Sequence, residues 1–93
     1  MNFLELLNRV ARVAKPKHHN LTSLDSMEER FENTDIDSLD GMLIVMYMSE
    51  IYGVADEVSK DFNPQTPQEL YDFIQQHKTI EPESVEAAME KVK

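Results

Sequence analysis

The chain has 93 residues, of which 18 are acidic and 9 basic, and it contains no cysteine. This length predicts one small domain with a compact core. The net charge of −9 disfavours binding to nucleic acid or to anionic membrane surfaces, since both need positive charge, and it favours partners with basic patches. The lack of cysteine excludes disulfides, thiolate metal ligands and cysteine nucleophiles.

The opening stretch MNFLELLNRVARVAKP differs from a secretory signal peptide, because its basic residues follow the apolar ones and Glu5 interrupts the apolar run. No stretch reaches the roughly 20 apolar residues that a membrane-spanning helix needs. We therefore expect a soluble cytoplasmic protein without membrane insertion. The initial Met1 and the lack of a Pro/Ser-rich linker at either end favour a free-standing chain, and we expect a monomer.

A first helix is predicted over residues 2–14, because apolar residues recur there every three or four positions. The residues on that face are Phe3, Leu6, Leu7, Val10, Val13 and Ala14. Asn2 is a suitable N-cap, and Lys15-Pro16 ends the helix.

A polar loop is predicted over residues 15–37, and loops of this length in small domains are often functional. The stretch SMEERF within it is compatible with one turn of helix. Four apolar residues are expected to anchor the loop to the core: Leu21, Leu24, Met27 and Phe31. Residues 25–40 hold seven carboxylates and one arginine, which makes this the most acidic part of the chain.

A second helix is predicted over residues 38–52, SLDGMLIVMYMSEIY. Asp37 or Ser38 is a suitable N-cap, and a carboxylate at Asp40 suits the positive end of the helix dipole. Gly41 costs about 1 kcal/mol relative to alanine inside a helix, so its presence suggests close approach of another group. A strand is rejected here because the chain offers no partner strand.

The second helix is apolar on nearly every side, which leaves its buried face open to two interpretations. In the first, the core face consists of Met42, Val45, Met46 and Ser49. Leu43 and Tyr47 then lie under neighbouring loops. In the second, Leu43 and Tyr47 form an apolar patch for a partner, with methionines supplying adaptability.

The remaining sequence predicts three further helical segments. Gly53 fits the C-cap of the second helix. Residues 54–63 are predicted to form a short helical or irregular piece with Val54, Val58 and Phe62 facing inward. Thr66-Pro67-Gln68-Glu69 combines an N-cap, a first-turn proline and a glutamate at N3, so a helix is predicted over residues 67–78.

A C-terminal helix is predicted to start at Glu81-Pro82. Its buried face consists of Val85, Ala88, Met89 and Val92. The chain is thus predicted to be an all-α domain of four helices, the third short, with an extra C-terminal helix.

Several kinds of chemistry fit the sequence poorly. If Asp35 is the first ligand of a calcium loop, Asp40 stands where glycine is required and Met46 where the last glutamate is required. His18 and His19 are adjacent, and we interpret them as solvated loop residues rather than metal ligands. No serine has a histidine near it in the sequence, although a triad assembled only in space stays open. These residues predict no metal site.

Ser38 has the clearest candidate role. One interpretation is that it merely caps the second helix. Asp37 can already fill that role, however, which leaves Ser38 redundant as a cap. A helix N-terminus also offers N–H groups and a positive dipole end to a phosphate group. A serine hydroxyl at this position is therefore well placed to carry a phosphodiester.

The stretch Asp37-Ser38-Leu39-Asp40 resembles the phosphopantetheine attachment motif of the acyl carrier protein family. The order of features over residues 2–78 is also similar to that family. An amphipathic helix and a long loop precede Asp-Ser-Leu at the start of an apolar helix, which ends in Tyr52-Gly53-Val54. A short third helix and Thr-Pro-x-x-Leu then precede the final helix. The resemblance implies an acyl-carrier-type four-helix bundle over residues 1–78, with residues 79–93 as a C-terminal extension.

This resemblance implies a carrier rather than an enzyme. Ser38 would hold a 4'-phosphopantetheine arm, flanked by Asp37 and Leu39 of the motif. A phosphopantetheinyl transferase would supply the arm from coenzyme A, and the arm's thiol would hold acyl intermediates as thioesters for enzymes with basic patches. Ser23 also begins a Ser-Leu-Asp stretch but lacks the preceding aspartate, so Ser38 is preferred.

The resemblance also implies a partner-binding surface. Its residues are Asp40, Met42, Leu43, Met46, Tyr47, Glu50, Asp56 and Glu57. The candidate lining of an acyl-chain cavity is Met46, Val54, Phe62 and Phe73. Gly41 and Leu43 depart from the family's usual pattern, which favours a specialised fatty-acid or polyketide-type pathway. The alternatives are an aminoacyl (peptidyl or D-alanyl) carrier and an unmodified acidic helical interaction module.

Overall fold

The computed structural model describes residues 2–14, 24–34 and 36–92. Its α-helices in chain order are α1 (Phe3–Ala14), α2 (Ser38–Tyr52), α3 (Asp56–Ser59), α4 (Pro67–His77) and α5 (Val85–Glu90), and a 3₁₀ helix spans Phe31–Asn33. Within these described ranges there is no strand, so the predicted all-α class is confirmed. The predictions for His18, His19, Leu21 and Asp35 concern residues outside the described ranges.

The core forms where α2 contacts α1, α3 and α4. From α1, Leu6, Leu7 and Val10 are fully buried, as the spacing of its apolar residues predicts. Removing each such side chain from water contributes about 1.5–3 kcal/mol to folding. Leu70 and Ile74 of α4 are buried in the same cluster. The bundle is therefore held together by apolar faces that meet around α2.

The buried face of α2 differs from the predicted one. Its buried residues are Asp40, Ile44, Val45, Met48, Ser49, Ile51 and Tyr52. The first interpretation placed Met42 and Met46 in the core, but they are 63% and 42% exposed, so it is wrong at these two positions. Val45 and Ser49 are buried, as that interpretation predicted. Because α2 is apolar on nearly every side, its sequence pattern marks no single face, and packing against α1 selects the one that is buried.

Hydrogen bonds fix the segment before α2 to the rest of the bundle. The Asn8 side chain accepts the Leu24 N–H at 2.7 Å and donates to the Leu24 carbonyl at 3.1 Å. The Phe31 N–H donates to the Gln65 carbonyl at 2.8 Å. Leu24 is buried, while Met27 and Phe31 pack against the core, so three of the predicted anchors are confirmed. A helical turn was predicted at SMEERF, residues 26–31. The structure instead has a 3₁₀ helix at Phe31–Asn33, closer to α2 in the sequence.

The region after α2 contains only one turn of helix. Gly53 adopts a left-handed conformation with φ of 66° and forms the C-cap of α2, as predicted. Val54 is buried and Phe62 packs against the core, but Val58 is exposed, contrary to the prediction. A four-residue helix presents little surface to the bundle, and the residue that α3 buries is Ser59.

Local capping chemistry sets the start of the last two helices. The Thr66 hydroxyl accepts the Glu69 N–H at 3.2 Å, so α4 begins at Pro67 as predicted. α4 ends at His77, one residue before the predicted end. α5 begins at Val85 rather than near Pro82, because the Ser84 hydroxyl accepts the Ala87 N–H at 3.1 Å and forms the N-cap.

The C-terminal segment packs against the bundle. The N–H groups of Thr79 and Ile80 donate to the Tyr52 carbonyl at 2.9 and 3.2 Å. α5 contacts α1, and it buries Val85 and Ala88. Burial raises the pKa of Tyr52 to about 12, and the negative charge of Glu81 adds to this effect. α5 is therefore part of the packed core.

Candidate functional site

The start of α2 is closed by two aspartates. Asp37 is the N-cap, and its Oδ1 accepts the Asp40 N–H at 2.9 Å. In return, the Asp37 N–H donates to Asp40 Oδ2 at 3.3 Å. This reciprocal arrangement is a capping box with aspartate at the N3 position. The capping box at the start of α2 is thus complete without any hydrogen bond from the Ser38 side chain.

Ser38 is the first residue of α2 and is exposed to solvent. Its hydroxyl has no hydrogen-bond partner among the described residues. The alternative in which Ser38 serves as the cap is therefore wrong, and Asp37 has that role. An exposed hydroxyl at the first turn of a helix is accessible to an enzyme that modifies serine.

Asp40 lies in a different environment from the one expected of a partner-binding carboxylate. It is only 7% exposed, and its carboxylate is held in the capping box. Little of its carboxylate is therefore accessible to a partner, and direct contact between Asp40 and basic partners stays a prediction. Its burial follows from its position at N3, where the side chain reaches back toward the N-cap.

A partly polar cleft opens beside Ser38 and has a volume of about 440 Å³. We call it the serine-side cleft, and its lining residues are Arg30, Phe31, Glu32, Thr34, Ile36, Asp37, Ser38, Gly41, Asn63, Pro64 and Gln65. A Cβ added at Gly41 would meet no atom of the described chain within 4 Å. The close approach that was expected at Gly41 therefore does not come from the described part of the protein, and this side of α2 is left open.

An apolar groove of about 340 Å³ lies between α2 and α3. We call it the methionine groove, and its lining residues are Leu39, Met42, Leu43, Val45, Met46, Asp56, Ser59, Lys60 and Phe62. Met46 and Phe62 were predicted to line an acyl-chain cavity, and both line this groove. Val54 and Phe73 do not line the groove. Val54 is buried elsewhere in the core, and the ring of Phe73 stacks on that of Phe62 with the centroids 3.9 Å apart.

The remaining predicted partner residues differ in exposure. Glu50, Asp56 and Glu57 are exposed, and their carboxylates are accessible to a basic surface. Leu43 and Tyr47 are half-buried, and Tyr47 packs against the core. Among the described residues, the most exposed large apolar side chain is Leu39, at 64%. The apolar surface of α2 is thus centred on Leu39 and the two exposed methionines rather than on Leu43 and Tyr47.

No protein-family model, curated protein or solved structure matches this chain. Among the described helices, none is both long enough and apolar enough to cross a membrane.

Sequence reasoning did not identify the serine-side cleft. Its walls come from residues far apart in the sequence, such as Arg30 and Gln65, which are 35 positions apart, and no local pattern joins them. Two signals were available in the sequence. Gly41 is an unfavourable residue for a helix interior, and Arg30 is the one basic residue in the acidic stretch 25–40.

Proposed function

We propose that this chain is a cytoplasmic acyl carrier protein that is modified with 4'-phosphopantetheine on Ser38. The observation that carries the proposal is the exposed Ser38 hydroxyl at the first turn of α2, where Asp37 and Asp40 already complete the cap. The helix order adds support, because a long segment precedes this serine and a one-turn helix separates α2 from α4.

The residues around Ser38 suit a phosphodiester. In the modification, the serine oxygen would form a new bond to the phosphorus of the 4'-phosphate of coenzyme A. The pyrophosphate bond would break, 3',5'-ADP would leave and the serine proton would pass to the transferase or solvent. The first turn of α2 favours a nearby anion through its dipole. When bound, the arm supplies a terminal thiol that carries an acyl group as a thioester.

The surface of α2 and α3 suits brief contacts with enzymes. Exposed Leu39, Met42 and Met46 offer apolar contacts, while Asp56 and Glu57 offer charge. Opposite charge on a partner raises the association rate, and apolar contacts of modest area allow release. The methionine groove is the best candidate site for the acyl chain, because most of its lining is apolar. A specialised fatty-acid or polyketide-type pathway remains the proposed setting.

The test is intact mass after incubation with a broad-specificity phosphopantetheinyl transferase, coenzyme A and magnesium. Wild type, Ser38→Ala and Ser23→Ala are compared. Ser23→Ala is the matched control because Ser23-Leu24-Asp25 repeats three letters of the motif. We expect one phosphopantetheinyl group on wild type and on Ser23→Ala, and none on Ser38→Ala.

A mass gain that persists in Ser38→Ala would reject Ser38 as the attachment site. No gain with several transferases, each active on a known carrier, would favour the unmodified interaction module. If the gain occurs as expected, loading assays with acyl and aminoacyl donors decide between an acyl and an aminoacyl carrier.

A further inference from the structure

Two concave surfaces flank the first turn of α2, and adjacent residues line them. Ser38 lines the serine-side cleft but not the methionine groove. Leu39 lines the methionine groove but not the serine-side cleft. A group attached to the Ser38 oxygen therefore starts at the edge of the polar cleft.

The walls of the serine-side cleft are held in place by hydrogen bonds. The Phe31 N–H donates to the Gln65 carbonyl at 2.8 Å, and this bond joins the 3₁₀ helix to the segment before α4. On the same wall, the Thr34 hydroxyl donates to the Phe31 carbonyl at 2.7 Å and accepts the Ile36 N–H at 3.1 Å. The cleft wall is thus held by hydrogen bonds between backbone and side-chain groups of the protein itself.

The chemistry of the lining is mixed. Asn63 and Gln65 carry side-chain amides, Glu32 and Asp37 carry carboxylates, and Phe31, Ile36 and Pro64 are apolar. Glu32 is paired with Arg30, and Asp37 is held in the capping box, so both carboxylates already have partners within the protein. A phosphopantetheine arm is mixed in the same way, because it has a phosphodiester, a hydroxyl group and two amides along a chain that also carries methyl groups. The cleft volume of about 440 Å³ lies within the range of small-ligand sites, which is roughly 300–1,000 Å³.

Arg30 supplies positive charge where the surroundings are negative. It is the single basic residue between positions 25 and 40, where seven carboxylates occur. Its Nε donates to Glu32 at 2.7 Å and its Nη2 donates to the Gln65 side chain. A guanidinium has five N–H donors, so three remain without a hydrogen-bond partner among the described residues. Guanidinium groups suit phosphate oxygens in charge and geometry.

We propose that the serine-side cleft binds the phosphate-proximal part of the phosphopantetheine arm on Ser38, with Arg30 as the phosphate-binding residue. This inference rests on the proposed modification of Ser38. It assigns different ligands to the two concave surfaces: the polar cleft binds the arm, and the apolar methionine groove is left for the acyl chain. It also gives Gly41 a role, because a large side chain there would reduce the space in the cleft.

The test compares backbone amide NMR spectra of the unmodified and modified protein, after intact mass has established complete modification. We expect the amide signals of Phe31, Thr34 and Gln65 to shift on modification, although Gln65 lies far from Ser38 in sequence. Arg30→Gln should remove most of these shifts. Arg12→Gln is the matched control, since it makes the same chemical change at an exposed position on α1, and it should leave them intact.

A second pair of variants tests the space in the cleft. Gly41→Phe should abolish the shifts of Phe31 and Gln65 by filling the cleft, while Gly41→Ala should retain them. Core amide signals and thermal unfolding report whether each variant folds. If the transferase does not modify Gly41→Phe, the amide shifts in Arg30→Gln alone decide whether the arm binds in the cleft.

The possible outcomes separate this inference from the proposed function. A complete mass gain with shifts confined to residues 37–41, or extending along Met42, Met46 and Phe62 instead, overturns the inference and leaves the carrier function in place. Retention of the distant shifts in Arg30→Gln overturns the role of Arg30. The lack of any mass gain on Ser38 overturns both proposals.

Discussion

The two glycines of the chain are expected to respond in opposite ways to the same substitution. Gly53 has φ of 66°, and a Cβ built there would lie 2.2 Å from the Thr79 hydroxyl oxygen. That hydroxyl donates to the Gly53 carbonyl at 2.6 Å. Gly53→Ala therefore costs about 1–2 kcal/mol for the left-handed backbone, and displacement of Thr79 costs about 1 kcal/mol for the lost hydrogen bond. We expect Gly53→Ala to lower the free energy of unfolding by about 2–3 kcal/mol in total.

Gly41→Ala is the matched control. Gly41 lies within α2, and its added Cβ meets no described atom within 4 Å. Alanine lowers the conformational entropy of the unfolded chain and has the better helix propensity, so we expect a gain of about 0.5–1 kcal/mol. Alanine is thus predicted to lower the free energy of unfolding at Gly53 and to raise it at Gly41.

The assay is urea unfolding followed by circular dichroism, with the free energy of unfolding extrapolated to water. Each 1 kcal/mol corresponds to about 4–8 °C in Tm for a domain of this size. Gly53→Ala is also made with Thr79→Ala, which removes the clashing hydroxyl and should reduce the effect of the alanine to the backbone cost alone. A Gly53→Ala protein within 0.5 kcal/mol of wild type, or destabilisation of equal size at both glycines, would refute this reasoning.

Three further predictions test the helix cap, the buried tyrosine and the face of α2. Asp37→Ala should lower the free energy of unfolding by about 0.5–2 kcal/mol while Asp37→Asn retains most of it, because only alanine removes the oxygen that caps α2; equal losses would contradict the cap. The raised pKa of Tyr52, about 12, means that the folded state favours the neutral phenol. Its contribution to stability is therefore complete below pH 10 and is lost as pH rises from about 10 to 12. Urea unfolding across that range should show a fall in stability that is smaller in Tyr52→Phe, and identical pH profiles would contradict the assignment. Met48→Ala should cost about 2–5 kcal/mol because Met48 is fully buried, whereas the 63% exposed Met42 should tolerate alanine within about 0.5 kcal/mol; similar costs would mean that the buried face of α2 is misassigned.

Helix ends were predictable where the capping groups are close in sequence. Asp37 and Asp40 are three residues apart and form the capping box at the start of α2. Thr66 and Pro67 set the start of α4, and Gly53 ends α2 in a left-handed conformation. These interactions involve neighbours in the chain, so local chemistry is enough to predict them. The start of α5 was missed because Ser84, rather than the preceding proline, provides the cap.

The face of α2 was not predictable in the same way. Met42, Met46 and Met48 have the same side chain, yet only Met48 is buried. A helix that is apolar on most sides gains similar energy from several orientations, so the neighbours decide which face is covered. Here the apolar faces of α1 and α4 meet the side of α2 that carries Met48.

The sequence by itself determined the all-α class, most helix boundaries and the placement of Ser38 beside its capping aspartate, because these depend on residues within one or two helical turns. Tertiary structure decided which side of α2 is exposed, that Asp40 is buried, and that a polar cleft lies beside Ser38. Two parts of the cleft wall are joined by the hydrogen bond from the Phe31 N–H to the Gln65 carbonyl. Such contacts between distant residues form only when the whole core packs, and no local pattern encodes them.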